Sequence, residues 1–248
     1  MVSFPRIIDM GDKTVERATK HMIQKNCKGG GIMKKTLYIF RHGETDANVQ
    51  KRMQGWLDVP LNANGVAQAC SLAQKLADIK FDCVYSSPLS RALDTVHAVV
   101  GNNTKIATHD DLREWNMGDF CGHIVRLTDS PADTPIDMSG DVIYAPYALL
   151  SNDDYVPPNG ESYNMFVARV RDALLDIVKN SDGNTIAIAT HTGVAKNIIK
   201  QFTDVKWPRG GMPNAEFFKL EYDGEKFTLI DMPDWLSPVV MGDDNAIK

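Results

Sequence analysis

From Lys34 onward, short apolar runs alternate with longer stretches in which apolar residues recur every three or four positions. The runs Leu37-Tyr38-Ile39-Phe40, Val84-Tyr85 and Ile186-Ala187-Ile188-Ala189 are short, bounded by polar residues and rich in β-formers, as buried strands are. The pattern predicts strands at 36–40, 82–86 and 185–190 and near 104–108, 216–222 and 226–231. Helices are predicted at about 64–77, 88–100, 162–180 and 193–202. Strand then helix, repeated, describes an α/β fold: a mostly parallel sheet with helices on both faces. The last two strands, divided by Tyr222-Asp223-Gly224-Glu225, read as a hairpin with an Asp-Gly turn.

Two regions break the alternation. Between Gly122 and Gly160 no period is sustained, and prolines stand at 131, 135, 146, 157 and 158. An insert at about 123–159, lying over the carboxyl ends of the strands, is expected, and no strand or helix is predicted inside it. It carries six aspartates (129, 133, 137, 141, 153, 154) against one arginine, Arg126, so it would repel a strongly anionic ligand if it lined a pocket. A solvated surface loop is the commoner meaning of such a charge run. Residues 1–33 are polar and weakly periodic and end in Lys28-Gly29-Gly30-Gly31 before strand-like sequence begins. They are expected to be an extension outside the core, either disordered or not native, with residues 34–248 forming a single domain.

Composition narrows the function classes. With 248 residues, 43% hydrophobic and 24% charged, the chain can bury one sizeable core. A net charge of -5 argues against general nucleic-acid binding, which needs a basic surface. Cys27, Cys70, Cys83 and Cys121 show neither CxxC pairing nor metal-ligand spacing with the six histidines, so no metal site is expected and reduced thiols are the default. No run approaches the roughly 18 apolar residues of a membrane helix, and the N-terminus lacks a signal-peptide apolar stretch. A cytoplasmic protein with no membrane partner, monomer or homodimer, is expected.

Candidate chemistry lies at the strand ends. TLYIF runs into RHGETDAN, FDCVY into SSPLSRALDT, and TIAIAT into HTGVAKN, each followed by a helix start. Ligands of open parallel sheets bind outside the carboxyl ends of the strands, so Arg41, His42, Ser86, Arg91 and His191 are expected to converge there. Ser87-Pro88 suits a cap and first turn, and Thr192 a second cap. Two arginines, two histidines and helix-start N–H groups facing one space describe an oxyanion site, with phosphate as its natural occupant.

Six segments in order, RHGETDAN (41–48), GWLDVPLNANG (55–65), YSSPLSRALDT (85–95), LREWNMGDFCG (112–122), PPNGES (157–162) and ATHTGV (189–194), carry a likeness from Lys34 to the C-terminal hairpin. The sequence resembles the histidine phosphatase superfamily, in its phosphoglycerate mutase-like branch. The resemblance implies that His42 is a nucleophile that becomes transiently phosphorylated, and that Glu114 is the proton donor and then the base. His191 is implied as the second catalytic histidine, with Arg41, Asn48, Arg91 and Thr192 as phosphate contacts and Gly43 allowing close approach. Glu44, though adjacent, is not assigned the acid role. Arginines and a protonated histidine would supply the positive charge, so no metal and no cofactor are implied. The partner is expected to be a small phosphorylated metabolite.

Two departures bear on function. Thr192 stands where the family often has glycine or asparagine. REWNMGDFCG is similar to the phosphatase members and unlike the ERHYG-type segment of the glycolytic mutases. The expectation is a metal-independent phosphatase, a phosphoric monoester hydrolase acting on a small phosphomonoester. The alternatives are a cofactor-dependent phosphoglycerate mutase and a non-catalytic phospholigand-binding protein.

Overall fold

The computed structural model describes residues 34–208 and 211–236. Strand β1 (Lys35–Arg41) leads through the single turn α1 (Asp46–Val49) to α2 (Ala63–Lys75), then β2 (Cys83–Ser86), α3 (Ser90–Val100) and β3 (Ala107–Thr108). After β4 (Ile124–Thr128), β5 (Val142–Pro146) and the single turn α4 (Tyr147–Leu150) come α5 (Tyr163–Asn180), β6 (Thr185–Thr190), α6 (Thr192–Phe202), β7 (Phe217–Tyr222) and β8 (Phe227–Ile230). The main sheet has the order β3-β2-β6-β1-β7-β8. Its first four strands are parallel, and β7 and β8 are antiparallel. The mostly parallel α/β architecture expected from the sequence is therefore present, and so is the C-terminal hairpin.

Period-two alternation explains why both faces carry helices. Leu37 and Ile39 of β1 pack with Ile186 and Ile188 of β6 against α5 and α6. Their neighbours Tyr38 and Phe40, with Ala187 and Ala189, face α2 and α3. Leu37, Ile39 and Phe40 are fully buried, and each such side chain contributes about 2 kcal/mol by leaving water. Helix starts are set by side chains: Asn62 accepts from Gly65 N–H (2.8 Å) to begin α2, and Ser162 from Met165 N–H (3.2 Å) to begin α5. The glycines Gly43 and Gly65 let α2 begin directly against the end of β1. A β-carbon on Gly43 would lie 2.4 Å from Gly65 O, and one on Gly65 2.0 Å from Glu44 O. The close approach at Gly43 is thus between two stretches of this chain's own backbone.

Two expectations need correction. The strand near 104–108 contracts to Ala107–Thr108, because this edge pairs with β2 at only two positions. The insert is not without structure: β4 and β5 form a two-stranded parallel sheet, and Met117, Phe120, Ile143 and Ala145 form a small core beneath it. Each of these strands is five residues long with mixed exposure, too short for an alternation to register. The insert is fastened to the loop after α1 by Arg52–Asp141 and by Met53 N–H to His123 O (2.9 Å). All six of its aspartates are exposed. His123, whose Nδ1 pairs with Gly140 O (2.9 Å), serves this local structure.

The extension expected over residues 1–33, including Cys27 and His21, lies outside the described residues. Cys70, Cys83 and Cys121 form no disulfide among the described residues. No helix among the described residues is long and apolar enough to cross a membrane.

Candidate active site

Register brings the two motif histidines together. Arg41 of β1 pairs with Thr190 of the parallel β6, so the next residue on each strand, His42 and His191, stand side by side. Their ring centroids are 5.2 Å apart at 60°, close to the spacing of neighbouring strands. Ser86 of β2 pairs with Ala189, which brings Ser87 to the same level from the other flank of β6. Both histidines and Ser87 are buried.

Each ring has one nitrogen committed. His42 Nδ1 lies 2.6 Å from Gly43 O, an acceptor only, so Nδ1 carries the proton and the lone pair is on Nε2. His191 Nε2 is 2.8 Å from Ser87 Oγ, which itself accepts from Leu89 N–H at 3.4 Å. One chain that satisfies these groups has Leu89 donating to Ser87, Ser87 donating to His191 Nε2, and His191 Nδ1–H left as a donor. It is Ser87, rather than Ser86, that reaches the site: Ser86 Oγ donates to Ser87 O (2.8 Å).

Burial, then the Arg91 and Arg41 charges, holds His42 well below the usual 6.5. Burial and Arg91, followed by His42 and Arg41, do the same to His191. Burial next to two guanidinium groups disfavours positive charge on either ring, the opposite direction to the protonated histidine that the resemblance implies. A neutral His42 is also the form that carries a lone pair.

Arg91, 1% exposed, donates from Nη1 to Leu57 O (2.8 Å) and from Nη2 to Gly55 O (2.9 Å). Ser90 N–H donates to Asp58 Oδ1 (2.7 Å), so one loop, 55–58, both anchors Arg91 and caps α3. The cap is Asp58 from that loop, where Ser87-Pro88 was expected. Arg41 Nη1 donates to Met212 O, and burial lowers its pKa to about 10 against the pull of Glu114, leaving it charged at neutral pH.

Glu114 is held at both oxygens: Oε1 accepts from Trp115 N–H (2.8 Å) and Oε2 from Gly193 N–H (2.9 Å), in the first turn of α6. Its charge acts on both Arg41 and Arg91. Its own backbone is fixed from outside, where Arg169 Nη2 donates to Glu114 O (2.8 Å) and Nη1 to Asp111 O and Arg113 O. Arg169 in turn forms a two-point ion pair with Glu161 (2.9 and 2.6 Å). Trp115 stacks on Phe166, whereas Met117 and Phe120 belong to the core beneath the insert.

Thr192 is the first residue of α6, and His191 takes the cap position, so the expected Thr192 cap is not formed. Asn48 stands in a capping box with Thr45. Its Oδ1 accepts from Thr45 N–H (3.1 Å) and Asn214 Nδ2 (3.3 Å), leaving its amide NH2 without a partner among the described residues. Asn214 also donates to His42 O (3.1 Å), which ties Asn48 to the histidine. Glu44 Oε1 is engaged by Asn62 and Asn64 (both 3.0 Å) at the start of α2.

Six buried side-chain polar atoms among the described residues lack a partner, and four of them are Arg41 Nε, Arg91 Nε, His191 Nδ1 and Thr192 Oγ1. Buried polar atoms are rarely left unpaired, so their concentration around His42 marks a place prepared for an acceptor-rich ligand. Such a set can receive a tetrahedral oxyanion beside a nucleophilic nitrogen and a carboxyl. No group of three or more His, Cys, Asp or Glu among the described residues is arranged to hold a metal ion. Sequence reasoning missed Ser87, Asp58, Asn214, Glu161 and Arg169. Glu161 stood within the PPNGES segment, but nothing local to Arg169 distinguishes it from a surface charge.

A doubly covered, mostly parallel sheet with a two-histidine, two-arginine site at its strand ends defines an α/β protein built for oxyanion chemistry. The chain belongs to the histidine phosphatase superfamily (branch 1), whose family model matches residues 37–234. It is 30% identical over 198 residues to phosphoglycerate mutase-like protein 4 of Arabidopsis thaliana, covering 78% of this chain and 82% of that protein. It is 31% identical to the glucosyl-3-phosphoglycerate phosphatase of Mycobacterium tuberculosis, covering 74% and 84%. Among solved structures, phosphoglycerate mutase from Bacillus anthracis superposes with a TM-score of 0.63 at 27% identity, covering 79% of this chain and 92% of that one. Family and fold are those expected from the sequence, and the family bears out the expectation of a phosphoric monoester hydrolase.

Proposed function

We propose that this protein hydrolyses a small phosphomonoester in two displacements through a phosphohistidine at His42, without a metal ion. The observation that carries the reading is the pairing of His42 Nδ1 with Gly43 O, which leaves Nε2 as a neutral nucleophile among unpartnered donors. In the first displacement Nε2 attacks phosphorus and the bond to the leaving oxygen breaks, with Glu114 giving that oxygen its proton. The phosphoimidazolium keeps its Nδ1–H on Gly43 O. In the second, the Glu114 carboxylate takes a proton from water, the water oxygen attacks phosphorus, and the phosphorus–nitrogen bond breaks. Phosphate leaves and His42 is restored.

Arg41, Arg91, His191 and Thr192 would bind the phosphoryl oxygens and stabilise the charge spread over them, with the Asn48 amide as a further contact. Splitting one displacement into two is the advantage of the nucleophile. Proton transfer by a held carboxyl contributes typically about 10²–10⁴-fold. The relatives' names include both phosphatases and a phosphoglycerate mutase, so the mutase remains the competing reading. Assaying an aryl phosphate with and without chelator, and phosphoglycerate interconversion with and without bisphosphoglycerate, separates them. Hydrolysis without added metal supports the proposal; interconversion without net phosphate release contradicts it.

A further inference from the structure

Thr192, Lys196 and Lys200 stand at i, i+4 and i+8 of α6 and therefore share one face of that helix. Thr192 begins this row among the site residues, and its hydroxyl is buried without a partner. A cleft of about 710 Å³ lies further along, lined by Lys196, Lys200, Asp204, Lys206, Trp207 and Gly211. Gly211 borders both cleft and site: a β-carbon placed on it would be 3.8 Å from Thr192 Cγ2, and the carbonyl of the next residue, Met212, receives Arg41 Nη1.

The cleft has the opposite polarity to the chain. Three ammonium groups face one carboxylate among its described lining residues, within a protein of net charge -5. No ion pair engages Lys196, Lys200 or Lys206 among the described residues. Lys200 Nζ makes only a 3.5 Å contact with Tyr163 OH and lies 5.6 Å from that ring. At 1.5 Å rise per residue, Lys196 and Lys200 are about 6 and 12 Å along the axis from Thr192.

We propose that this cleft is a second anion subsite, which takes a carboxylate or phosphate at the far end of the leaving group while the scissile phosphoryl lies against His42. Trp207 offers an apolar wall for the carbon chain between the two ends. The proposal extends the phosphatase reading and rests on it for the position of the scissile group. It makes the preferred substrates phosphomonoesters with a remote negative charge, in contrast to the repulsion expected from the exposed aspartates of the insert.

The test compares three probes, hexanediol monophosphate, hexanediol bisphosphate and carboxypentyl phosphate, by kcat/KM on the full chain. The two anion-terminated compounds separate phosphate from carboxylate as the favoured remote group. At least one of them is expected to exceed the monophosphate by about tenfold, the scale reached by a few exposed ion pairs acting together. In K196Q/K200Q the ratio is expected to fall to near one, and because it is a ratio within one preparation, partial misfolding does not imitate the result. Equal kcat/KM for all three probes in the unaltered protein, or a preference that survives both substitutions, overturns the subsite. If none of the three is hydrolysed, the phosphatase reading fails separately, and calorimetric binding of the same probes decides the subsite. Tighter binding of an anion-terminated probe, lost in K196Q/K200Q, supports it, and equal binding overturns it.

Discussion

The N–H of Gly193 donates to Glu114 Oε2 at 2.9 Å, and a β-carbon at Gly193 would stand 2.1 Å from Glu114 Oε1. The first turn of α6, which follows His191, therefore sets the position of a carboxyl that comes from a loop far away in the chain. Gly193→Ala is expected to displace that carboxyl while leaving the helix intact, since alanine is the better helix former by about 1 kcal/mol. The expected outcome is a fall of about 10²-fold in kcat, with the fold retained. A kcat within twofold of the parent, measured beside a thermal melt, contradicts the account of Glu114.

Arg169 and Glu161 form an ion pair whose side chains are only 13% and 10% exposed, and Arg169 holds three carbonyls of the Glu114 loop. Removing one partner of a buried pair strands the other, at a cost of about 3 kcal/mol. Arg169→Met is expected to destabilise by about that amount in urea and to lower kcat by loosening Glu114. Glu161→Gln, which keeps an acceptor for Asn116 N–H, should cost less. Additive effects in the double variant would show that the pair does not act as a unit.

His42 and His191 set the pH dependence. In the unfolded chain their rings take protons near 6.5, while burial and the neighbouring guanidinium groups delay this in the fold to well below that value. Between those limits the unfolded state binds more protons, so the contribution to stability is fully present above about 6.5 and is lost as pH falls through the folded values. Urea midpoints of the unliganded protein should therefore decline below pH 6.5, less so in a variant with both histidines replaced by glutamine. The acid limb of kcat/KM on an aryl phosphate should likewise lie below 6.5, because His42 stays neutral there. An acid limb centred near 6.5 would contradict the buried, unprotonated ring.

Much of this site was legible because it sits where strand meets helix. RHG, SSPLSR and HTG each follow an apolar run, and a parallel sheet gathers its carboxyl ends in one place. Glu114 was recognised only through family resemblance, since its loop has no strand to point from. What stayed hidden depends on chain-distant contacts: Asp58 capping α3, Asn214 bridging Asn48 and His42, and Arg169 securing the Glu114 loop. Similarly, β4 and β5 are stabilised by pairing with each other and by Ile143 and Ala145 beneath them, so neither announces itself by period. The downward pull of burial and of Arg91 on the His191 pKa likewise cannot be read from a motif.

Positive charge at the phosphoryl group comes from Arg41 and Arg91 in this account. Full activity is therefore expected after exhaustive chelation and dialysis, with Arg91→Ala reducing kcat/KM by about 10²-fold or more. Metal restoring the activity of a chelated sample would contradict it.

The most direct test of the account is to trap the intermediate. Protein mixed with an aryl phosphate and quenched at neutral to alkaline pH should carry an acid-labile phosphoryl group, and mass mapping should assign it to His42. His42→Ala should lose both the adduct and the hydrolysis. Turnover that persists in His42→Ala, or an adduct that maps to any other residue, would contradict the central claim.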